Sequence, residues 1–493
     1  MATARTTSVG SGVVAAGHGG PSGPRRVGVG LDFSAVRAEF GLPQDFPAAA
    51  LTEAERAVAE PTLMTGLRVD HTALPLVTVD PLGSKDLDQA VLVQCRGGGF
   101  RVWYAIADVA AFVRPGGPLD QEVRRRGQTL YLPDGAVPLH PTLLSEGAAS
   151  LLPDQVRPAV LWTIDLDREG AIASWDVHRS WVRSVAQLDY ETVQRDMETD
   201  AAHPSIALLP EVGRLRRAQA AGRGAIELGV PEQQIVADDA RGWRLLLRPR
   251  TLLEEWNAEI SLLTGMCAAE MMLESGVGVL RTVPGPDDES VAALRASAAE
   301  LGVEWSEDDQ AAEVLAALDP TRPEAMALHV SATRLLRGAG YTAFDDGAPD
   351  RAHHAGIGAA YAHVTAPLRR LVDRYGTKVC LAVCSGRDIP EWVHEALPQL
   401  PSAMGVSDRT AAQVDRACLQ LAEAWALAGR VGEVFEATVL RAGTGDEPVG
   451  EVFVADPPVL ARCTGVGASQ GRRLSVRLVE ADVARRTVSF QAA

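Results

Sequence analysis

Apolar and polar positions follow different rhythms along the chain. Residues 74–80, 89–94 and 100–108 are short segments rich in Val, Ile and aromatic side chains, which predicts strands. Arg96-Gly97-Gly98-Gly99 joins the last two as a hairpin, and residues 160–166 and 173–183 form a second pair around Arg168-Glu169-Gly170. Apolar spacing then lengthens to a helical period over residues 214–221, 252–275, 289–301, 308–318, 323–336 and 364–384. Pro and Gly punctuate residues 385–406, which predicts a connection, and residues 407–428 predict a helix closed by Gly429 and Gly432. Residues 434–441, 451–454, 473–479 and 487–491 return to short alternating segments, the spacing of a small closed barrel. Residues 1–29, Gly- and Ser-rich without a period, predict a flexible tail, and residues 30–70 a small lead-in with one helix at 51–60. The predicted fold is therefore α/β over residues 71–400, a central sheet flanked by helices, followed by a connecting helix at 407–430 and an OB-type barrel over 431–493.

The densest chemistry lies in Thr78-Val79-Asp80-Pro81-Leu82-Gly83-Ser84-Lys85-Asp86-Leu87-Asp88-Gln89. Asp80 ends a strand, and an extended chain points Asp86 and Asp88 to one side. Three carboxylates converging on one point repel unless a cation sits between them, and hard oxygen ligands suit Mg²⁺ or Mn²⁺. Such a centre serves phosphoryl transfer. A solvated acidic turn is the plainer alternative, and the calcium-loop pattern is not met.

Charge reshapes this picture. The chain carries 47 basic against 64 acidic side chains, a net charge of −17, which excludes nucleic-acid binding by bulk positive charge. Arginines cluster at 124–126, 214–217, 244–250 and 369–370, so a local basic channel inside an acidic exterior is expected. The six cysteines are scattered without a CxxC pair, which points to no disulfide framework or zinc site. No run has the length of a membrane span and no secretory signal is evident, so a cytoplasmic protein is expected.

From Asp80 onward the chain resembles the RNase II / RNase R family of exoribonucleases. Asp80, Asp86 and Asp88 match three of the family's four aspartates, and further blocks follow in order. These are Ile106-Ala107-Asp108-Val109, 120–127, Tyr131-Leu132-Pro133-Asp134, Leu144-Ser145-Glu146-Gly147, Ser150-Leu151, Gly224-Ala225-Ile226, Leu253-Glu254-Glu255 and Tyr361-Ala362-His363-Val364-Thr365-Ala366-Pro367-Leu368-Arg369-Arg370. The resemblance spans about residues 70–385, and the terminal barrel is similar to the family's RNA-gripping OB-fold. It implies a metal-dependent hydrolytic 3′→5′ exoribonuclease that degrades single-stranded RNA to 5′-nucleoside monophosphates; a monomer is expected, and the family's usual paired N-terminal cold-shock barrels are not, because the first 70 residues have too little strand character to hold two. By the same resemblance Asp80, Asp86 and Asp88 position one or two Mg²⁺ ions, and Asp88 is the indispensable member. Arg369 meets the scissile phosphate with Arg370 in support. Tyr131 stacks on a base, and Tyr190 with Glu254 or Glu255 reads the ribose 2′-hydroxyl. Both glutamates also sit where a helix start favours acids. His354 and His363 are expected to be structural.

Three departures bear on activity. Gln89 replaces the fourth aspartate, Ala366 and Leu371 replace a Ser and a Tyr, and Ala105 stands where many members have His. An amide offers a metal only its carbonyl oxygen, so Asp108 is a candidate to support the metal instead. The competing readings are an RNA-binding relative that holds RNA without cutting and a phosphohydrolase of small nucleotides.

Overall fold

A computed structural model describes residues 31–60, 67–199, 201–238, 242–306, 308–319, 322–443, 448–467 and 470–493. The tail expected over residues 1–29 lies outside them. The lead-in holds two helices, Ser34–Glu39 and Ala48–Ala59, where one was expected. Leu31, Phe33 and Val36 anchor the first of these, all buried in a core shared with the terminal barrel.

The central sheet is six-stranded. Strands Gln89–Arg96 and Gly99–Ala107 form the expected hairpin, and Gly99–Ala107 also pairs with Val156–Leu166. The strand Ile172–Asp189 is longer than expected because it serves three neighbours, one of them the short strand Val69–Asp70, which runs parallel to it at Ser180 and Trp181. Residues 172–183 pair with Val156–Leu166, and residues 184–189 run parallel to Leu76–Asp80. The sheet therefore curls until both of its sides meet on one strand. Asp80 and Asp189 lie side by side at the end of that parallel pair.

Helix Leu252–Ser275 lies against this sheet where periodicity placed it. Gly265 permits its close approach to the chain at 361–364, since a Cβ there would overlap the Tyr361 ring. The same contact lets the Ala362 N–H donate to the Gly265 carbonyl at 3.0 Å. The helix expected over 364–384 begins only at Leu371, and residues 364–370 form an irregular turn. Pro367 disfavours helical geometry in the residue before it, and Asp373 turns back to accept the Ala366 N–H at 2.6 Å. Within this helix Cys380 is buried, whereas Cys384 is exposed.

The connection at 385–406 contains a short helix, Glu391–Ala396, and the long helix starts at Leu400 and runs to Leu427. Several pairings escaped the sequence pattern, two of them between longer strands. Glu232–Asp238 pairs with Gly242–Arg248 as a hairpin, and Gly278–Thr282 pairs with the distant Gly340–Phe344. The terminal barrel closes through Val434–Arg441, Val449–Ala455, Pro458–Thr464, Thr487–Ala492 and Arg473–Asp482, with Pro458–Thr464 and Thr487–Ala492 parallel. That order is OB-like. No helix among the described residues is long and apolar enough to cross a membrane.

Candidate active site

Asp80 leaves its strand into Pro81-Leu82-Gly83-Ser84. The Ser84 N–H donates to the Pro81 carbonyl at 3.1 Å, and Gly83 takes φ +83°, the conformation a type II turn requires at its third residue. Ser150 then pins the following segment. Its Oγ accepts from the Leu87 N–H at 3.0 Å and donates to the Lys85 carbonyl at 2.6 Å. The Leu151 N–H binds the Leu87 carbonyl and the Ala107 N–H binds the Asp88 carbonyl. Asp86 and Asp88 are thus held by backbone on two sides, and the matched Ser150-Leu151 block is part of their scaffold.

Asp88 is 3% exposed. Its Oδ1 accepts the Leu368 N–H at 2.7 Å, and its Oδ2 lies 3.8 Å from Arg369 Nε. Asp86 Oδ2 accepts from the Tyr131 hydroxyl at 3.0 Å. The half-buried Asp80 has an Oδ2 shut off from solvent without a hydrogen-bond partner. Burial raises the pKa of all three carboxyls. Asp80 is pushed up to about 7 by burial and by the nearby Asp86. Asp88 is raised well above its usual range and Asp86 is also raised, each by burial first. Three acids therefore share one guanidinium, that of Arg369, which remains partly exposed.

The expected convergence of three carboxylates on one point needs correction. Among the described residues no group of three His, Cys, Asp or Glu side chains is set to hold a metal ion. Leu368 and Arg369 hold Asp88, and Tyr131 holds Asp86. The orphaned Asp80 oxygen and its repulsion by Asp86 still fit a cation between those two acids. Asp108 does not join them. It is buried in ion pairs with Arg68 at 2.6 Å and Arg179 at 3.2 Å.

Gln89 is engaged elsewhere too: its Nε2 donates to the Thr365 carbonyl. The turn it reaches is held by several other bonds. Buried His140, its pKa lowered to about 4 by desolvation, bonds through Nδ1 to the Leu368 carbonyl at 3.0 Å. The Thr129 N–H donates to the Arg369 carbonyl at 3.0 Å.

Arg370 points away from the acids. Its Nε and one terminal nitrogen fork onto Asp373, each at 2.9 Å, in a buried pair. Removing one partner of such a pair costs about 3–5 kcal/mol because the other charge stays buried alone. Arg370→Ala is expected to lose stability on that scale in urea unfolding, and a loss below about 1 kcal/mol would contradict the pairing.

Tyr190 opens a helix beside Asp80, and its hydroxyl accepts from Asn257 Nδ2 at 3.0 Å. Glu254 forms a capping box. Its Oε2 accepts the Thr251 N–H at 2.8 Å, and its Oε1 pairs with Arg248 at 2.8 Å. Glu255 pairs with Arg217 at 2.5 Å, and burial raises its pKa. His363 bonds Tyr341 through Nδ1 at 2.9 Å. Asn257, Asp373 and the Leu368 N–H were missed by sequence reasoning. Only Asp373 left a signal, as an acid three residues after Arg370.

Within the arginine-rich stretches, several guanidiniums are paired rather than free. Arg124 binds Asp120, Arg125 and Arg126 bind Glu122, buried Arg216 donates to the Gly170 carbonyl, and Arg217 binds Glu255 and Glu227. Arg369 is the partly exposed arginine that the fold brings to the acids.

Residues 68–379, which hold all of these acids and Arg369, match the family model described as the RNB domain. The chain belongs to the RNB family. Residues 433–493 match the RNase II-type exonuclease C-terminal S1 domain. Similar curated relatives are Ribonuclease R of Escherichia coli, 31% identical over 323 residues, and of Chlamydia trachomatis, 26% identical over 404 residues. The alignments cover 62% and 80% of this chain, but only 39% and 57% of those relatives' length. Apo RNase R of Mycoplasma genitalium shares the fold at TM-score 0.83 and 20% identity, covering 94% of this chain and 77% of that one. Yeast Ssd1, a pseudonuclease, shares it at TM-score 0.68 and 20% identity, covering 86% of this chain and 52% of that one.

Proposed function

We propose that this RNB protein is a metal-dependent hydrolytic 3′→5′ exoribonuclease that releases 5′-nucleoside monophosphates from single-stranded RNA. The observation that carries the reading is a buried group of three raised-pKa carboxyls, one with an orphaned oxygen, beside a partly exposed arginine. Asp80 and Asp86, with the Oδ2 edge of Asp88, are the residues that would hold Mg²⁺ or Mn²⁺. When bound, the ion supplies positive charge to a phosphate and acidity to a water.

The chain's own residues do the rest. Arg369 binds a phosphate oxygen and offsets the charge that develops there. Asp88 and the Leu368 N–H fix where that guanidinium starts, and Tyr131 orients Asp86. The Tyr131 ring offers a stacking surface, while Tyr190 and Asn257 offer polar atoms near Asp80 for a ribose hydroxyl. Glu254 and Glu255 act by capping the helix that carries Asn257 and by holding Arg217. Arg370 supports Arg369 through Asp373. The OB-like barrel supplies further contact to RNA, held as a single-stranded partner.

Incubation with a 5′-labelled RNA oligomer tests this. The expected result is a ladder shrinking toward a short labelled end, present with Mg²⁺ or Mn²⁺ and abolished by chelation. A second reading, RNA holding without cutting, draws on Gln89, whose amide is committed to Thr365 rather than to the acids. An intact oligomer with salt-sensitive binding would establish that reading instead.

A further inference from the structure

We propose that Gln89 is a positioning residue of this centre: its amide clamps the Thr365 carbonyl and so sets the turn that carries the Leu368 N–H and Arg369 onto Asp88. The inference rests on the nuclease reading above and assigns a role to the residue that most threatens it.

Gln89 opens the strand Gln89–Arg96 and pairs opposite Ile106 in the middle of the sheet, so its backbone is rigid. The Thr365 carbonyl it reaches belongs to a residue that is 3% exposed. A buried carbonyl needs a donor, and leaving it without one costs about 1–3 kcal/mol. An amide is a donor, whereas an ionised carboxylate is acceptor-only. An aspartate at this position would face the carbonyl with a like dipole and a shorter side chain.

The turn from Thr365 to Arg370 is neither helix nor strand, and it closes on itself through the Arg369 and Arg370 N–H groups, which donate to the Ala366 carbonyl at 3.2 and 2.9 Å. It is also fixed from outside, by Gln89 at Thr365, Asp373 at Ala366, His140 and Asp88 at Leu368, and Thr129 at Arg369. Gln89 is the contact that ties the start of this turn to the strand immediately following Asp88. Both partners of the Asp88–Arg369 pair are thereby referenced to one strand end. Replacing an acid by an amide also leaves the site one negative charge lighter, which matches a centre whose remaining acids share a single, partly exposed guanidinium.

The test is single-turnover trimming of 5′-labelled RNA in Mg²⁺ by wild type, Gln89→Met, Gln89→Asp, Arg369→Ala and the Gln89→Met/Arg369→Ala double variant. RNA affinity and thermal unfolding are measured alongside. Gln89→Met is expected to slow cleavage about tenfold to a hundredfold, the cost of a small misplacement of a catalytic group, with affinity within about threefold. In the Arg369→Ala background the same change should slow cleavage by less than about threefold, since the group it positions is gone. Equal losses in both backgrounds, which a merely structural role would give, would overturn the proposal. So would an unchanged rate for Gln89→Met, or a faster rate for Gln89→Asp, which would mark the amide as a missing metal ligand. A wild-type protein that cuts no RNA would sink the nuclease reading itself and the clamp with it, whereas cutting without these effects sinks the clamp alone.

Discussion

Asp88→Asn should lower the rate of RNA trimming by at least about a thousandfold while leaving RNA affinity within about threefold. The carboxylate has two tasks. Its Oδ1 accepts the Leu368 N–H, and its Oδ2 faces Arg369 Nε at 3.8 Å. Asparagine can keep the first bond through its carbonyl oxygen. Its NH₂ group then confronts the guanidinium, donor against donor, and the site loses a negative charge. Losing one electrostatic contact aimed at the reacting group costs about 10²–10³ in rate, and here the lost negative charge adds to the lost Arg369 contact. Folding should not suffer, because burial already disfavours the ionised form of Asp88. Single-turnover decay of the labelled oligomer, with a melting curve on the same sample, decides it. A variant within tenfold of wild type would remove Asp88 from the centre of the mechanism.

Asp80→Asn should make the metal-free protein more stable at pH 8, by up to about 4 kcal/mol, while having little effect at pH 4. The Asp80 carboxyl sits at about 7 in the folded chain, against an ordinary value of 3.8. Between those values the folded state holds more protons than the unfolded state, so stability falls as pH rises through the window and stays low above it. The bound on the effect follows from about 1.4 kcal/mol per pH unit. Asp86 and Asp88 are raised in the same direction, so the informative quantity is the difference between wild type and variant. Added Mg²⁺ should stabilise wild type and do less for Asp80→Asn, since a ligand stabilises only the state that binds it. Urea unfolding in EDTA at both pH values, then with Mg²⁺, reads all of this. A pH-independent difference, or a variant less stable at pH 8, would mean that the orphaned oxygen is not held against an unmet charge.

Several features were legible because they are local. Helix Leu252–Ser275 carries its own capping signal, Thr251 with Glu254. The hairpin around Gly97 and Gly98 has positive φ at both residues, which glycine alone adopts freely. The order of matched blocks placed Asp80, Asp86, Asp88 and Arg369 in one site, and the fold brings them together. The helix boundary before Leu371 was misplaced because the turn at 364–370 keeps apolar residues at helical spacing. Bonds from Asp88, His140 and Asp373, distant or facing backward, hold it open instead. The pairing of Gly278–Thr282 with Gly340–Phe344 was invisible because neither strand announces a partner so far along the chain.

The residue sequence by itself determined the α/β-then-barrel order, the acidic cluster at the end of a strand, and the family. These follow from local periodicity, turn chemistry and motif order, which need no knowledge of what lies across the fold. Only the tertiary structure decided which charges are free to act. Arg124 to Arg126, Arg216, Arg217 and Arg370 look alike in sequence to Arg369, yet each is consumed by a carboxylate or carbonyl. Asp108 is bound by Arg68 and Arg179, and Gln89 turns to Thr365. The reason is that a side chain's protonation and availability depend on the partners and solvent that long-range folding brings to it, and those partners lie far away in sequence.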